Sequence, residues 1–331
     1  MTVYKGINGF AVQSLATDPT YNEGQVWYNN ASYAFKVASL TTSGTWATGG
    51  NLNTGRSSLG GAGIQTAALA FGGYVASPSG TMTETYNGTS WTTVPATLGT
   101  GRYNVNGFGT QTAAVAAGGN LPPSTGSTEK YNGSTWTASG GLTTNRFSGG
   151  AFGTQIAGLF ANGDVYPSSP RNGNQTESFN GTIWASLSPT TTGRPSVGAS
   201  NGGSQTAGLI FGGNPPGVTA ATESWNGTSW TTVNSLNTAR RQLQGGGTQT
   251  AALAAGGQSP ITGATELWNG TSWTTNPNSM GTARYAANRG SGNAQTAGIV
   301  FGGNPPALTV TSATEEFTGP GAQQIKTITT S

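Results

Sequence analysis

Cysteine and histidine are both absent from the 331 residues. Without cysteine, no disulfide, thiol nucleophile or thiolate metal site can form, and the redox compartment leaves no trace. Without histidine, a Ser-His-Asp triad or an ordinary transition-metal centre cannot be built. Charge is scarce as well: Asp, Glu, Lys and Arg make up 7% of the chain, against about a quarter in an average domain. The net charge is +3 and no run of Lys or Arg occurs, so no nucleic-acid groove is expected. No apolar stretch reaches the ~18 residues of a membrane span, so no membrane insertion is expected. The N-terminus lacks the basic-then-apolar pattern of a secretion signal, and a role outside a cell would imply arrival by assembly or lysis.

What is abundant is glycine, with 55 residues, and it is periodic. One module is written six times: Arg, a Gln-Thr-Ala stretch, Gly-Gly, Glu, an aromatic, Asn-Gly and Trp. The arginines are Arg56, Arg102, Arg146, Arg194, Arg240 and Arg284, and the glutamates are Glu84, Glu129, Glu177, Glu223, Glu266 and Glu315. A period of roughly 45 residues is the mark of a propeller or solenoid.

Within the first copy, Gly61 to Gly73 is small, apolar and alternating, which suits a strand near a crowded axis. Thr83 to Tyr86 and Thr89 to Thr93 read as two further strands, with Asn87-Gly88 predicting a type I′ turn between them. Four short strands per unit make one antiparallel blade. The third copy has Asn162-Gly163 in place of the double glycine, and the sixth stops near Gly319 without an outer Trp. Gly44-Thr45-Trp46 matches that missing strand. The expected fold is therefore all-β: a six-bladed propeller of four-stranded antiparallel blades, with the N-terminal strand completing the last one.

The order of hydrophobic run, double glycine, Glu-x-aromatic, Trp and then Arg resembles the kelch repeat, over residues 44–319. That resemblance implies a six- or seven-bladed β-propeller serving as a binding platform. The Asn-Gly and very short link to Trp depart from many kelch units, which bears on loop shape. Residues 1–43 form a separate arm. Gly24-Gln25-Val26-Trp27-Tyr28-Asn29 and Ala34-Phe35-Lys36 read as a single hairpin, which alone is marginally stable. Together they resemble a segment common in tail-fibre and other virion proteins of tailed bacteriophages. This implies a virion component, with the arm as attachment or packing element and residues 320–331 as a C-terminal tail.

Catalysis is not expected. Ten acidic residues are present, and beyond the six repeat glutamates only Asp18, Glu23, Asp164 and Glu316 remain. Paired carboxylates for acid–base work are hard to assemble from these. No cofactor or metal is expected either. A charge in a mostly apolar propeller must be paired, so each repeat Glu is expected to take an Arg from its own blade or the next. The alternative is an Arg ring around the axis for an anionic ligand. The Asn-Gly-Thr/Ser sequences also fit the glycosylation sequon, although turn chemistry suffices to explain them.

The segments between Gly-Gly and Glu differ in every copy. They carry the candidate binding residues Tyr74, Pro78, Pro122, Pro123, Tyr166, Pro167, Pro215, Pro216, Pro260, Pro305 and Pro306. Proline stiffens such loops and lowers the entropy lost on binding. The expected function is a virion surface protein whose loops bind a host glycan or a neighbouring virion subunit, with Tyr74 or Tyr166 for stacking. A structural decoration subunit, an interaction scaffold and a homo-oligomer are the other readings.

Overall fold

The computed structural model describes residues 13–16, 26–40, 43–75, 80–121, 123–167, 173–214, 217–288, 295–306, 310–321 and 323–328. Among them are seven β-sheets and no helix. The chain divides into two compact units, one built from both termini up to Gly44 and from Gly319, the other from Thr45–Thr318.

The larger unit holds six sheets. In the first, Gly60–Ile64, Ala67–Phe71, Thr83–Tyr86 and Trp91–Val94 lie in chain order, each antiparallel to the next. Four more sheets repeat this order, with inner strands Asn106–Gly109, Gly150–Thr154, Gly198–Ala199 and Gln244–Gly247. The sixth comprises Ala297–Phe301, Thr314–Thr318 and, from the other end of the unit, Thr45–Thr48. Phe317 stands opposite Trp46, their rings 5.0 Å apart. This sheet has three strands among the described residues, not four. Residues 289–294, which precede Ala297–Phe301, lie outside that set, and Asn288 borders the Phe301 edge by accepting its N–H at 3.0 Å.

Inner strands of successive sheets run backbone to backbone, which accounts for their glycines. A methyl group at Gly107 would collide with the carbonyl of Gly61 in the preceding sheet. Larger side chains are confined to the spaces between sheets. There Phe71, Val105 and Tyr131 join the first to the second, and equivalent clusters join each later pair. One such cluster places Phe301 and Ile299 of the sixth sheet against Ala70, Tyr86 and Trp91 of the first.

Three sets of hydrogen bonds follow the same circuit. The first is entirely backbone. The second residue after each repeat Arg has a left-handed conformation: Ser58, Asn104, Ser148, Ser196, Gln242 and Ala286, with φ between 49° and 64°. Each donates its N–H to the carbonyl of its counterpart one sheet earlier, and Ser58 donates to Ala286 at 2.6 Å, so the chain of bonds returns to its start. In the second set, the outer-strand Trp donates from Nε1 to the Thr before Glu in the preceding sheet. Trp184 reaches Thr128 at 2.9 Å, Trp46 reaches Thr265 at 2.9 Å and Trp91 reaches Thr314 at 3.0 Å. The third set uses the Gln of Gln-Thr-Ala. Gln155 clasps the carbonyls of Ala114 and Tyr131, and Gln65 clasps those of Gly298 and Phe317.

The Asn-Gly corners differ from the expected type I′ turn. Four residues separate Tyr86 from Trp91, and only Gly88 takes positive φ (91°). Asn87 instead accepts the N–H groups of Thr89 and Ser90 on its Oδ1, the side-chain mimic of a turn that Asn favours.

The smaller unit is a four-stranded sheet of Gln13–Leu15, Val26–Asn29, Ala34–Leu40 and Gln323–Thr327. Two expectations are corrected here. The arm is not a lone hairpin, and residues 320–331 are not merely a tail: their strand pairs antiparallel with Ala34–Leu40. A bare hairpin is marginal, and a strand on each side supplies the missing partners. Trp27 is fully buried against Ala38, with Leu15 beside it.

The backbone circuit yields a test. Ala286→Gly should stay within about 1 kcal/mol of the parent, because glycine accepts positive φ freely. Ala286→Pro forbids that φ and deletes the donor, and should cost about 3 kcal/mol or more in denaturant unfolding. Equal stability of the two variants would mean that the circuit contributes nothing.

Candidate functional site

Every repeat arginine meets the glutamate of its own sheet. The separations are 2.9 Å for Arg56–Glu84, 2.6 Å for Arg102–Glu129, and 2.8 Å for Arg146–Glu177, Arg240–Glu266 and Arg284–Glu315. Arg194 and Glu223 make the same pair. All six guanidinium side chains are 0–1% exposed, so an arginine ring open to an anionic ligand is excluded. Burial pulls Arg56 and Arg146 down to about 10, against the raising pull of Glu84 and Glu177, and both stay charged at neutral pH. Arg146 and Glu177 touch as charges without an aligned hydrogen bond, and Arg146 also lies over the Phe160 ring at 4.9 Å.

These pairs hold the loops in place. Arg56 donates from Nη1 to the carbonyls of Gly72 and Met82, which begin and end the first variable loop. Arg240 does the same at Gly256 and Ala264. The second carboxylate oxygen of each Glu accepts a backbone N–H from the incoming connection, as from Asn53 to Glu84 at 2.7 Å. At the loop roots, Gly73 donates to the carbonyl of Arg102 in the next sheet, and Tyr74 forms a backbone bridge with Ser57. Variable loops and sheet-to-sheet connections therefore share one face, over a base of buried ion pairs.

On that face Tyr74 is 45% and Tyr166 is 46% exposed. Pro123, Pro167, Pro260 and Pro306 are exposed and Pro305 is half-buried, while Pro78, Pro122, Pro215 and Pro216 lie outside the described residues. Tyr74 packs edge-on against Tyr103 at 6.0 Å. The carbonyl of Tyr166 accepts the hydroxyl of Ser124 in the neighbouring loop. The second sheet separates the two exposed tyrosines, so they do not form one stacking site. Of the other acidic residues, Glu316 accepts the Tyr86 hydroxyl at 2.5 Å, and Asp164 forms a backbone bridge with Phe147 at a loop root.

Sequence reasoning missed a cavity of about 520 Å³ at the rim of this face, lined by Trp136, Leu142, Glu129, Ser127 and Asn145. It lies within the ~300–1,000 Å³ typical of ligand sites. A hollow of about 400 Å³ opens on the opposite side, among the turns of the first four sheets, with Ile64 and Gln111 in its wall.

The solved structure of the bacterial protein YjhT aligns with 83% of this chain and 99% of its own, at a TM-score of 0.66 and 12% identity. The fold is that of a β-propeller. At such low identity the likeness to YjhT extends to fold alone. No protein-family model matches the chain, and no curated protein matches it.

Removing one member of a buried pair strands its partner's charge. Glu223→Ala, which orphans Arg194 and frees the Thr191 N–H, should destabilise by about 3–5 kcal/mol in denaturant unfolding. A change within about 0.5 kcal/mol, as at an ordinary surface position, would show that the pairs do not support the fold.

Proposed function

We propose that the chain is a closed six-bladed β-propeller acting without catalysis as a binding module, whose loop face engages an uncharged glycan on a host surface. Closure is supported by the hydrogen bonds and the hydrophobic cluster that link the sixth sheet back to the first. The observation carrying the binding reading is the contrast between the repeated polar groups and the loops. Each Arg, Glu, Gln and Trp of the repeat makes bonds that hold strands together, while the segments between the double glycine and the Glu differ in every copy. A rigid scaffold under variable loops is a common way to build recognition. Among the described residues every repeat Arg and Glu beneath that face is paired, so affinity would come from hydroxyl and amide hydrogen bonds and from exposed aromatics.

The setting we propose is the virion of a tailed phage, supported by the resemblance of residues 18–37 to tail-fibre and virion segments. In that reading the two-terminus sheet is the attachment element and other virion proteins are its partners. A decoration subunit is the alternative, and copy number in intact particles separates an abundant decoration from a scarce receptor binder.

Glycan-array and host-cell adsorption assays test the face. Replacing the first and third variable loops with Gly-Ser links, together with Tyr74 and Tyr166, should reduce adsorption at least about tenfold with melting unchanged. Undiminished adsorption would rule out those loops as the binding surface.

A further inference from the structure

The rim cavity sits where the second blade lacks a side-chain bridge that the first and fifth blades carry. Three residues before the repeat Arg, the first and fifth blades carry Asn53 and Asn237. Each donates from Nδ2 to the outer-strand Trp carbonyl (Trp91 or Trp273, 3.1 Å) and to a Thr hydroxyl two residues on (Thr93 or Thr275, 3.3 and 3.2 Å). That amide–hydroxyl bridge fills the space over the Glu carboxylate. The second blade has Gly99 where the Asn would be and Ala138 where the Thr would be; the sixth shares the glycine, as Gly281, but keeps a hydroxyl at Thr48. In the second blade both halves of the bridge are gone, and the cavity stands in their place.

Other features converge on the same space. Trp136, like Trp46 of the sixth blade, is half-buried, whereas Trp91, Trp184, Trp230 and Trp273 are 5–6% exposed. The Trp136 indole is fixed by a hydrogen bond to Thr83 at 2.9 Å and by an edge contact with Phe71 at 4.9 Å. Asn145 occupies a position that is Gly or Ala in the other five copies, and its side chain lines the cavity. Gly126 permits its approach, since a methyl there would lie 2.8 Å from Asn145 Oδ1. Glu129 and Glu315, the two beside a glycine at that position, are 7% and 6% exposed, against 0–2% for Glu84, Glu177, Glu223 and Glu266.

From this we infer that the second-blade cavity is a carbohydrate subsite, taking one or two neutral pyranose units with a ring face on Trp136. The inference rests on the loop-face reading above and assigns it a location. A sugar ring combines an apolar C–H face with hydroxyls that both donate and accept. The cavity matches both properties. Trp136 and Leu142 supply apolar surface, Thr125, Ser127 and Ser139 supply hydroxyls, and Asn145 supplies an amide. The Glu129 carboxylate is neutralised by Arg102 at 2.6 Å, which leaves it able to accept a hydroxyl hydrogen bond without favouring a cation. A fixed indole loses little entropy on binding, which favours recognition by stacking.

Calorimetric titration of the full chain with a panel of neutral mono- and disaccharides tests this. The decisive variant is Gly99→Asn with Ala138→Thr, which installs the bridge that the first and fifth blades already carry. Gly99 does not have positive φ, and its added Cβ would meet only Glu129, at 3.4 Å or beyond, so folding should survive. At least one sugar should bind the parent, and the bridge variant should weaken it at least about tenfold with an unchanged melting temperature. Asn145→Ala should weaken it by a smaller factor. If no sugar of the panel binds the parent, the subsite is refuted. If sugar binds parent and bridge variant equally, the cavity is refuted as its location, and the loop-replacement experiment decides separately whether the first and third loops recognise glycan.

Discussion

The circuit of six backbone hydrogen bonds from Ser58 through Ala286 is the constraint on which the rest of the larger unit depends. Each bond spans two sheets and involves a left-handed residue, a conformation that costs about 1–2 kcal/mol for most residues, glycine and often asparagine excepted. Such strain persists only where surrounding structure enforces it. Here the enforcement comes from the adjacent Arg, anchored by its Glu and by loop carbonyls, and from the Trp–Thr and Gln–carbonyl bonds at other points of the same interfaces. Apart from the charged Arg–Glu contacts, no single bond among these is worth much more than about 1 kcal/mol. Their strength lies in recurrence, since every sheet is tied to both neighbours in the same manner.

The scarcity of charge follows from this construction. Neighbouring sheets need apolar faces, and the inner strands need glycine, which leaves few sites for ions. The ions that remain serve as loop anchors, with Gly72 and Met82 fixed by Arg56 as the clearest instance. Loops held at both roots can vary in sequence between them without disturbing the sheets. A variable face above an invariant base is thus a physical consequence of where the arginines and glutamates sit.

Much of the architecture was legible in the sequence. The period, the double glycines and the alternation of Thr83 to Tyr86 fix short antiparallel strands, and the outer-strand pattern around Trp46 anticipates its pairing with Phe317. The strand at Gln323–Thr327 was not legible, because its partner lies at the opposite end of the chain and no local pattern announces long-range pairing. The Asn-Gly turn was misjudged because the dipeptide fits a two-residue loop, whereas the four-residue loop lets Asn87 cap through its side chain. At the candidate site, the variable loops were visible as variation between copies. The rim cavity was hidden because it arises from residues that are small: Gly99 and Ala138 look unremarkable until set beside Asn53 and Thr93. Aligning the copies position by position supplies the signal that motif reading passes over.

Closure is tested most directly by a cross-link. Thr45 and Thr318 face each other across the strands that join the two ends of the larger unit, and both are exposed. The chain has no native cysteine, so Thr45→Cys with Thr318→Cys introduces a single possible disulfide. Directly paired strand residues fall within the ~4.4–6.8 Å Cα separation that a disulfide spans. A closed ring predicts near-complete intramolecular oxidation, a large mobility shift on non-reducing gels and a raised melting temperature. Two free thiols under the same conditions, in a protein that remains folded, would contradict it.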